Sequence, residues 1–205
     1  MEIKDPRYLQ SAVKLADMPQ AVLPEYAFAG RSNVGKSSLI NMICQRNKLA
    51  ITSSKPGRTQ TINHFIIDDK WYLVDLPGYG FASVSKKERE SWKRMMHNYL
   101  KNRENLVSVF HLIDIRVEAM LSDLEIMEML GKNGIPFVIV FTKSDQLKQS
   151  EVAKAMERYK KKLSEKWEEC PRMILTSAKK KRGREELLDY ISEGNEIFLA
   201  SRSAK

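Results

Sequence analysis

Cysteine is scarce in this 205-residue chain, which carries only Cys44 and Cys170. Two thiols without paired spacing exclude a disulfide framework and a zinc finger, and they fit reduced side chains in a cytosolic protein. Long apolar runs are also missing. The longest, such as Phe137 to Phe141, fall far short of the roughly 20 residues that cross a bilayer, so no membrane partner is expected. The opening residues Met1-Glu2-Ile3-Lys4-Asp5 lack the apolar stretch of a secretory signal. His64, His97 and His111 show no metal-ligand spacing and receive no catalytic role. Neither repeats nor low-complexity linkers occur. These absences lead us to expect a cytoplasmic monomer, one domain over residues 1–205, with loose ends at 1–20 and 200–205.

What the chain does have is charge and alternation. Charged residues make up 30% and the net charge is +9, a balance suited to a polyanionic partner such as nucleic acid. Hydrophobic residues, at 42%, suffice for a core. Short apolar runs at Tyr26–Ala29, His64–Asp68, Trp71–Asp75, Leu106–Ile113, Pro136–Phe141 and Met173–Leu175 alternate with amphipathic segments. Helices are expected from Lys36, from Ser85 to about Arg103, after Ser122, over 150–168, and from Gly183 to Leu199. Ser85-Lys86-Lys87-Glu88 and Ser122-Asp123-Leu124-Glu125 both match the capping box. Continuously apolar strands separated by helices predict an α/β fold of three layers, with helices on both faces of a six-stranded, mostly parallel sheet. A hairpin turning at Asp69-Lys70 would add one antiparallel edge strand.

The strongest local signal is Gly30-Arg31-Ser32-Asn33-Val34-Gly35-Lys36-Ser37, followed by Ser38. It matches G-x-x-x-x-G-K-[ST], and it stands between an apolar strand and a helix, as the phosphate loop requires. The glycines let backbone N–H groups approach phosphate oxygens, and the helix N-terminus adds its dipole. Lys36 would neutralise the terminal phosphates, and Ser37 would ligate magnesium. This loop predicts a nucleoside triphosphate without choosing the base.

Three further segments, each placed at a strand end, choose it. Asp75-Leu76-Pro77-Gly78 supplies a carboxylate that reaches magnesium through water and a Gly78 N–H that senses the γ-phosphate. Thr142-Lys143-Ser144-Asp145 is similar to N-K-x-D, whose aspartate accepts two hydrogen bonds from guanine. Adenine lacks that donor pair and would leave the carboxylate unpaired. Thr142 keeps a hydroxyl where the usual asparagine has an amide. Thr176-Ser177-Ala178-Lys179 resembles the S-A-K segment that faces the guanine O6. Strand C-terminal ends are where open α/β sheets bind ligands. Between the first two motifs lies Lys55-Pro56-Gly57-Arg58-Thr59-Gln60-Thr61, where a mobile threonine closes on magnesium. Spacing leaves both Thr59 and Thr61 as candidates.

Together these strings resemble the EngB family of translation-factor-related P-loop GTPases, also called YihA or YsxC, over nearly the whole chain. Threonine at position 142 is itself typical of that family. The resemblance implies GTP and GDP as ligands, with magnesium held by Ser37, Asp75 and Thr59. It also implies a bacterial switch acting on the large ribosomal subunit or its precursor, through rRNA and ribosomal proteins, and needed for normal division and septation through that role.

Hydrolysis is expected to be slow. Glutamine after D-x-x-G orients the attacking water in Ras-like enzymes, and here that position is Tyr79. Lys36, Gly78, Thr59 and Asn33 remain the candidates for catalysis. Asn33 resembles the asparagine of potassium-activated GTPases, so it carries two readings, a K+ ligand or a brace of the loop. Lys160-Lys161-Lys162, Lys179-Lys180-Lys181-Arg182 and the cations Lys86, Lys87, Arg89, Lys93 and Arg94 are candidates for RNA contact. Two other readings stand beside the switch: a nucleotide-stabilised RNA-binding module with negligible turnover, and an ATP-dependent small-molecule kinase.

Overall fold

The computed structural model describes residues 1–51, 61–80 and 85–203. Among the described residues seven strands, not six, form one sheet in the order β1-β3-β4-β2-β5-β6-β7. The strands are β1 (Pro6–Ala12), β2 (Glu25–Gly30), β3 (Ile62–Ile67), β4 (Trp71–Asp75), β5 (Leu106–Asp114), β6 (Phe137–Thr142) and β7 (Met173–Leu175). The helices are α1 (Lys36–Ile43), α2 (Lys86–Asn102), α3 (Leu121–Lys132), α4 (Gln149–Ser164) and α5 (Arg184–Ser203). From β4 to β7 every neighbouring pair is parallel. The expected antiparallel strand β3 lies one place inside the edge, antiparallel to β4 and to β1.

Strand β1 comes from the segment expected to be loose. Its backbone pairs with β3 from Pro6↔Ile67 to Ala12↔Ile62, with a register shift between Tyr8 and Gln10. Only Pro6 and Ala12 are buried along it. At the other end, α5 runs on to Ser203, past its expected end at Leu199.

Burial on both faces explains the apolar strands. Along β2, Tyr26 and Phe28 join a core with Leu39 and Ile40 of α1 and Leu187 and Ile191 of α5. Ala27 and Ala29 face the other way, toward Trp92, Met96 and Tyr99 of α2 and Ile126 and Leu130 of α3. A third cluster packs Phe141 of β6 against Met127 of α3 and Tyr159 of α4. Helices therefore cover both faces, as continuously apolar parallel strands require. The three tryptophans are packing residues. Trp71 and Trp92 are buried, and Trp167 sits edge-on to Phe137, 5.5 Å between ring centres.

Three local details differ from expectation. The β3–β4 turn falls on Asp68-Asp69, both with positive φ (52° and 54°), one residue earlier than expected. Two left-handed residues match the twist of a tight hairpin, and aspartate tolerates that region. Helix α3 starts at Leu121 after an extended Met120, with no side-chain cap, so Ser122 lies inside the first turn and caps nothing. Helix α4 ends at Ser164 rather than 168, and its start is held by Glu151, whose carboxylate accepts the Lys148 N–H at 2.7 Å. The cap expected at Ser85 involves Lys86 and Glu88, whose side chains lie outside the described residues.

The N-terminal end of the central strand β2 holds a buried ionic cluster. Glu25 accepts hydrogen bonds from Tyr99 (2.6 Å) and from Arg103 Nε (2.9 Å) and Nη2 (2.7 Å). Arg103 also donates to the Pro19 carbonyl at 2.9 Å. The C-terminal end of α2 is thereby tied to the first residue of β2.

Candidate functional site

The four motifs meet at the C-terminal ends of the parallel strands. Gly30 closes β2 and Asp75 closes β4, two adjacent strands in register at Phe28↔Asp75. The loop from Arg31 to Gly35 then turns into α1. Asn33 takes φ 62° and Gly35 takes φ 105° immediately before the first helical residue, Lys36. Such a turn leaves the first N–H groups of α1 unpaired within the helix and aimed at the loop's concave side. Lys36 lies across the strand gap, with its ammonium donating to Asp75 Oδ1. Ser37 follows it in the first turn of α1, and Ser38 is exposed.

The D-x-x-G segment is stitched to the loop. Leu76 N–H donates to the Phe28 carbonyl at 3.1 Å, and Ser32 N–H donates to the Tyr79 carbonyl at 2.8 Å. Gly78 lies so close to Ser32 that an added Cβ would come within 3.1 Å of Ser32 Oγ. That hydroxyl is buried and has no hydrogen-bond partner among the described residues.

The base-reading motifs cross-brace the same loop. The Thr142 hydroxyl donates to the Val34 carbonyl at 2.6 Å, with the Ile113 carbonyl 3.2 Å away. The Thr142 hydroxyl thus bonds directly to the phosphate-loop backbone. Lys143, with φ 60°, donates to the Asn33 carbonyl at 2.7 Å and pairs with Asp114 at 2.9 Å. Ser144 N–H donates to the Thr176 carbonyl at 3.2 Å. Ser177 donates to Asp145 Oδ1 at 2.6 Å and its oxygen accepts the Lys180 N–H at 3.0 Å. Ala178 and Lys179 follow in the turn that Ser177 and Arg182 close as a bridge. Gly183 ends that turn with φ 78°, where a Cβ would lie 2.4 Å from the Leu175 carbonyl.

Gly57, Arg58, Thr59 and Gln60 lie outside the described residues. Thr61 is described, and its hydroxyl donates to Asn63 Oδ1 at 3.1 Å.

Asp114, at the end of β5, went unnoticed in the sequence. Burial alone would raise its carboxyl, but hydrogen bonds from Arg116 and Lys143 outweigh that and hold it at about 2. It fixes Lys143 beside the loop. It also lines a cavity of about 230 Å³ behind the loop with Arg31, Asn33, Asp123, Lys143 and Tyr159. Tyr79, His111 and Asp123 form a second group that sequence reasoning missed. The Tyr79 hydroxyl donates to Asp123 Oδ1 at 2.7 Å and lies 2.7 Å from His111 Nε2. All three are buried. The available signal was His111, a polar residue inside the apolar run of β5, which a buried partner has to satisfy.

Oxygen donors suit magnesium. Asp75 offers a carboxylate and Ser37 a hydroxyl beside the loop. Among the described residues no three His, Cys, Asp or Glu side chains converge as a metal cage. Magnesium held by one or two protein oxygens, with substrate phosphates and water completing its shell, is its usual mode. The unpartnered Ser32 hydroxyl, and the Lys36 cation next to Asp75, likewise fit a phosphate chain in this loop.

The fold and these loops define a P-loop GTPase. Residues 25–143 match the family described as 50S ribosome-binding GTPase. The chain is 56% identical to the probable GTP-binding protein EngB of Porphyromonas gingivalis, over 96% of this chain and 98% of that protein. It is 53% identical to the protein of the same name in Phocaeicola vulgatus, over 98% and 100%. A crystal structure of a probable GTP-binding protein EngB superposes with TM-score 0.68 at 25% identity, covering 84% of this chain and 99% of that one. Aquifex aeolicus Era bound to GDP and aluminium fluoride shares the fold, with TM-score 0.64 at 23% identity over 84% of this chain and 57% of that one. The chain belongs to the EngB family of GTP-binding proteins.

Proposed function

We propose that this GTPase binds GTP and GDP with magnesium in the loop cluster above, hydrolyses GTP slowly, and serves as a switch in assembly of the large ribosomal subunit. The observation that carries the nucleotide reading is that Lys36 pairs with Asp75 and Lys143 bonds to the Asn33 carbonyl of the phosphate loop, while Ser177 holds the carboxylate of Asp145 in the neighbouring loop. In this reading residues 30–38 cradle the phosphates, and Lys36 neutralises their charge. Ser37, Asp75 and Thr59 serve magnesium, the segment 57–61 closes over it, and Gly78 contacts the γ-phosphate. Asp145 reads guanine, backed by Thr142, Lys143 and Ser144, and the segment 176–179 faces the base.

Slow turnover is supported by Tyr79. The residue is only 7% exposed and its hydroxyl bonds inward to Asp123 beside His111, so it orients no water at the phosphates. Asn33 retains its two readings. Its left-handed backbone and its carbonyl bond to Lys143 support the brace. The potassium reading is tested by phosphate release in KCl against NaCl with ribosomal particles present, and equal rates exclude it. The kinase reading is disfavoured by Asp145, which leaves adenine unmatched.

The ribosomal reading rests on the family and on the charge. Exposed cations stand on α4 at Lys160, Lys161 and Lys162, and in the turn Lys179 to Arg182. Among the described residues no helix is long and apolar enough to cross a membrane, and we place the protein, as a monomer, in the cytoplasm. Co-sedimentation with purified large subunits tests the assignment. Binding should be stronger with a non-hydrolysable GTP analogue than with GDP, and should fall at least tenfold between about 50 and 200 mM salt. Equal sedimentation with both nucleotides, or none, rejects it.

A further inference from the structure

We propose that Tyr79 is a positioning residue: its bond to Asp123 holds the Gly78 N–H at the height where it meets a γ-phosphate, so Tyr79 sets the preference for GTP over GDP. This rests on the reading of Gly78 given above.

The segment from Asp75 to Tyr79 is held at both ends, and each end by a different part of the molecule. At one end, Leu76 N–H bonds to the β2 carbonyl of Phe28, and Asp75 pairs with Lys36. At the other, the Tyr79 backbone bridges to Arg31, and its carbonyl accepts the Ser32 N–H. The Tyr79 N–H also reaches the Gly30 carbonyl, at 3.4 Å, so backbone bonds set the segment's direction along the loop. The Tyr79 side chain adds an anchor in the core. It passes inward between β5 and α3, where its hydroxyl meets His111 and Asp123. Its ring lies 5.4 Å from that of Trp92, and the Trp92 indole N–H donates to the Pro77 carbonyl at 3.0 Å. Gly78 is left pressed against Ser32, where an added Cβ would meet the Ser32 hydroxyl at 3.1 Å and its backbone at 3.3 Å.

The proton positions in this buried group follow from its donors. A phenol has one hydrogen, and Tyr79 gives it to the Asp123 carboxylate. His111 must then carry its proton on Nε2 and donate to the phenol oxygen. Burial keeps His111 neutral, with its pKa lowered to about 4, which suits this single-donor role. The chain His111 to Tyr79 to Asp123 spans β5, the end of the D-x-x-G segment and the first turn of α3. Loss of the bond lets Gly78 drift without opening the rest of the loop. GDP ends at the β-phosphate, so its contacts with residues 30–38 and Asp145 stay intact, whereas GTP loses the one contact made through Gly78.

The test measures GTP and GDP affinity by fluorescent-nucleotide competition, and single-turnover phosphate release, on Tyr79→Phe, Asp123→Leu, Asp123→Asn and Gly78→Ala. Expected for Tyr79→Phe and Asp123→Leu is a GTP-to-GDP affinity ratio lowered about fivefold, the size of one hydrogen bond, with GDP affinity within twofold of wild type. Asp123→Asn still accepts the phenol hydrogen and should retain most of the ratio. An unchanged ratio in Tyr79→Phe, or an equal loss of GTP and GDP affinity, overturns the proposal. If Tyr79→Phe does not fold, Asp123→Leu reads the same bond from its other end. Gly78→Ala separates the two levels. Should it leave the ratio unchanged, the reading of Gly78 fails. Should it lower the ratio while Tyr79→Phe does not, Gly78 stands and the role of Tyr79 falls.

Discussion

Ser177 donates its hydroxyl to Asp145 Oδ1 at 2.6 Å, joining the loop after β7 to the loop after β6. The carboxylate proposed to read guanine is therefore aimed by a residue 32 positions away. Ser177→Ala removes that aim and keeps the charge. We expect about a fivefold loss of GDP affinity, the scale of one hydrogen bond near 1 kcal/mol. Asp145→Asn should lose far more and shift preference to xanthine nucleotides. Fluorescent GDP titration competed by GTP, XTP and ATP checks both. Undiminished binding in Ser177→Ala would show that Asp145 is aimed by other contacts.

Lys36 and Asp75 form an ion pair with side chains only 12% and 9% exposed. Removing one partner strands the other charge in a poorly solvated place, a loss of about 3 kcal/mol. Lys36→Ala should therefore lower the melting temperature of nucleotide-free protein, and GTP or GDP should no longer raise it. Adding Asp75→Asn to Lys36→Ala should recover stability without recovering binding. Differential scanning fluorimetry with and without nucleotide and magnesium measures all three states.

Acid should destabilise the protein before most carboxylates titrate. Burial lowers His111 to about 4, and burial also lowers His64 to about 4 against the opposing charge of Glu25. The unfolded chain titrates these groups near 6.5, so it takes up protons first as pH falls. The stability they confer is complete above about 6.5 and drains away down to about 4, at up to ~1.4 kcal/mol per pH unit for each. His111→Gln keeps a donor toward Tyr79 and should flatten the fall by up to ~1 kcal/mol per unit between pH 6.5 and 5. Urea unfolding at pH 7, 6 and 5 checks this. Parallel slopes for wild type and variant would contradict it.

Glu25 is fully buried and accepts hydrogen bonds from Arg103 and Tyr99. Arg103→Met leaves that carboxylate without its cation, and about 3 kcal/mol of stability should go. Glu25→Gln combined with Arg103→Met removes both charges and should restore part of it. Chemical denaturation of the two variants decides. Equal losses would mean that packing, rather than charge, dominates the cluster.

The sequence shows the central strands and the loops between them for clear physical reasons. Strands buried on both faces must be continuously apolar, and phosphate binding demands glycines and a lysine at fixed spacing. Edge and cross-chain features carry no such signal. Strand β1 presents Tyr8 and Leu9 to solvent, and its shifted register blurs any period-two pattern. The Ser122 motif imitates a cap, yet Met120 precedes the helix and Asp123 turns inward to Tyr79. Asp114, His111 and Asp123 become partners of Lys143 and Tyr79 only through folding, because the sheet brings together residues far apart in the chain.

The tether of Arg103 and Tyr99 to Glu25 makes α2 a cantilever, clamped where it ends and joined at its outset to the segment that follows Gly80. Seventeen helical residues give it a length of about 25 Å. A rotation of roughly ten degrees about the clamped end carries Lys86 through about 4 Å. A tilt begun at the Trp92 contact with Pro77 would thus move the exposed Lys87, Lys93 and Arg94 more than the clamped Tyr99 and Arg103.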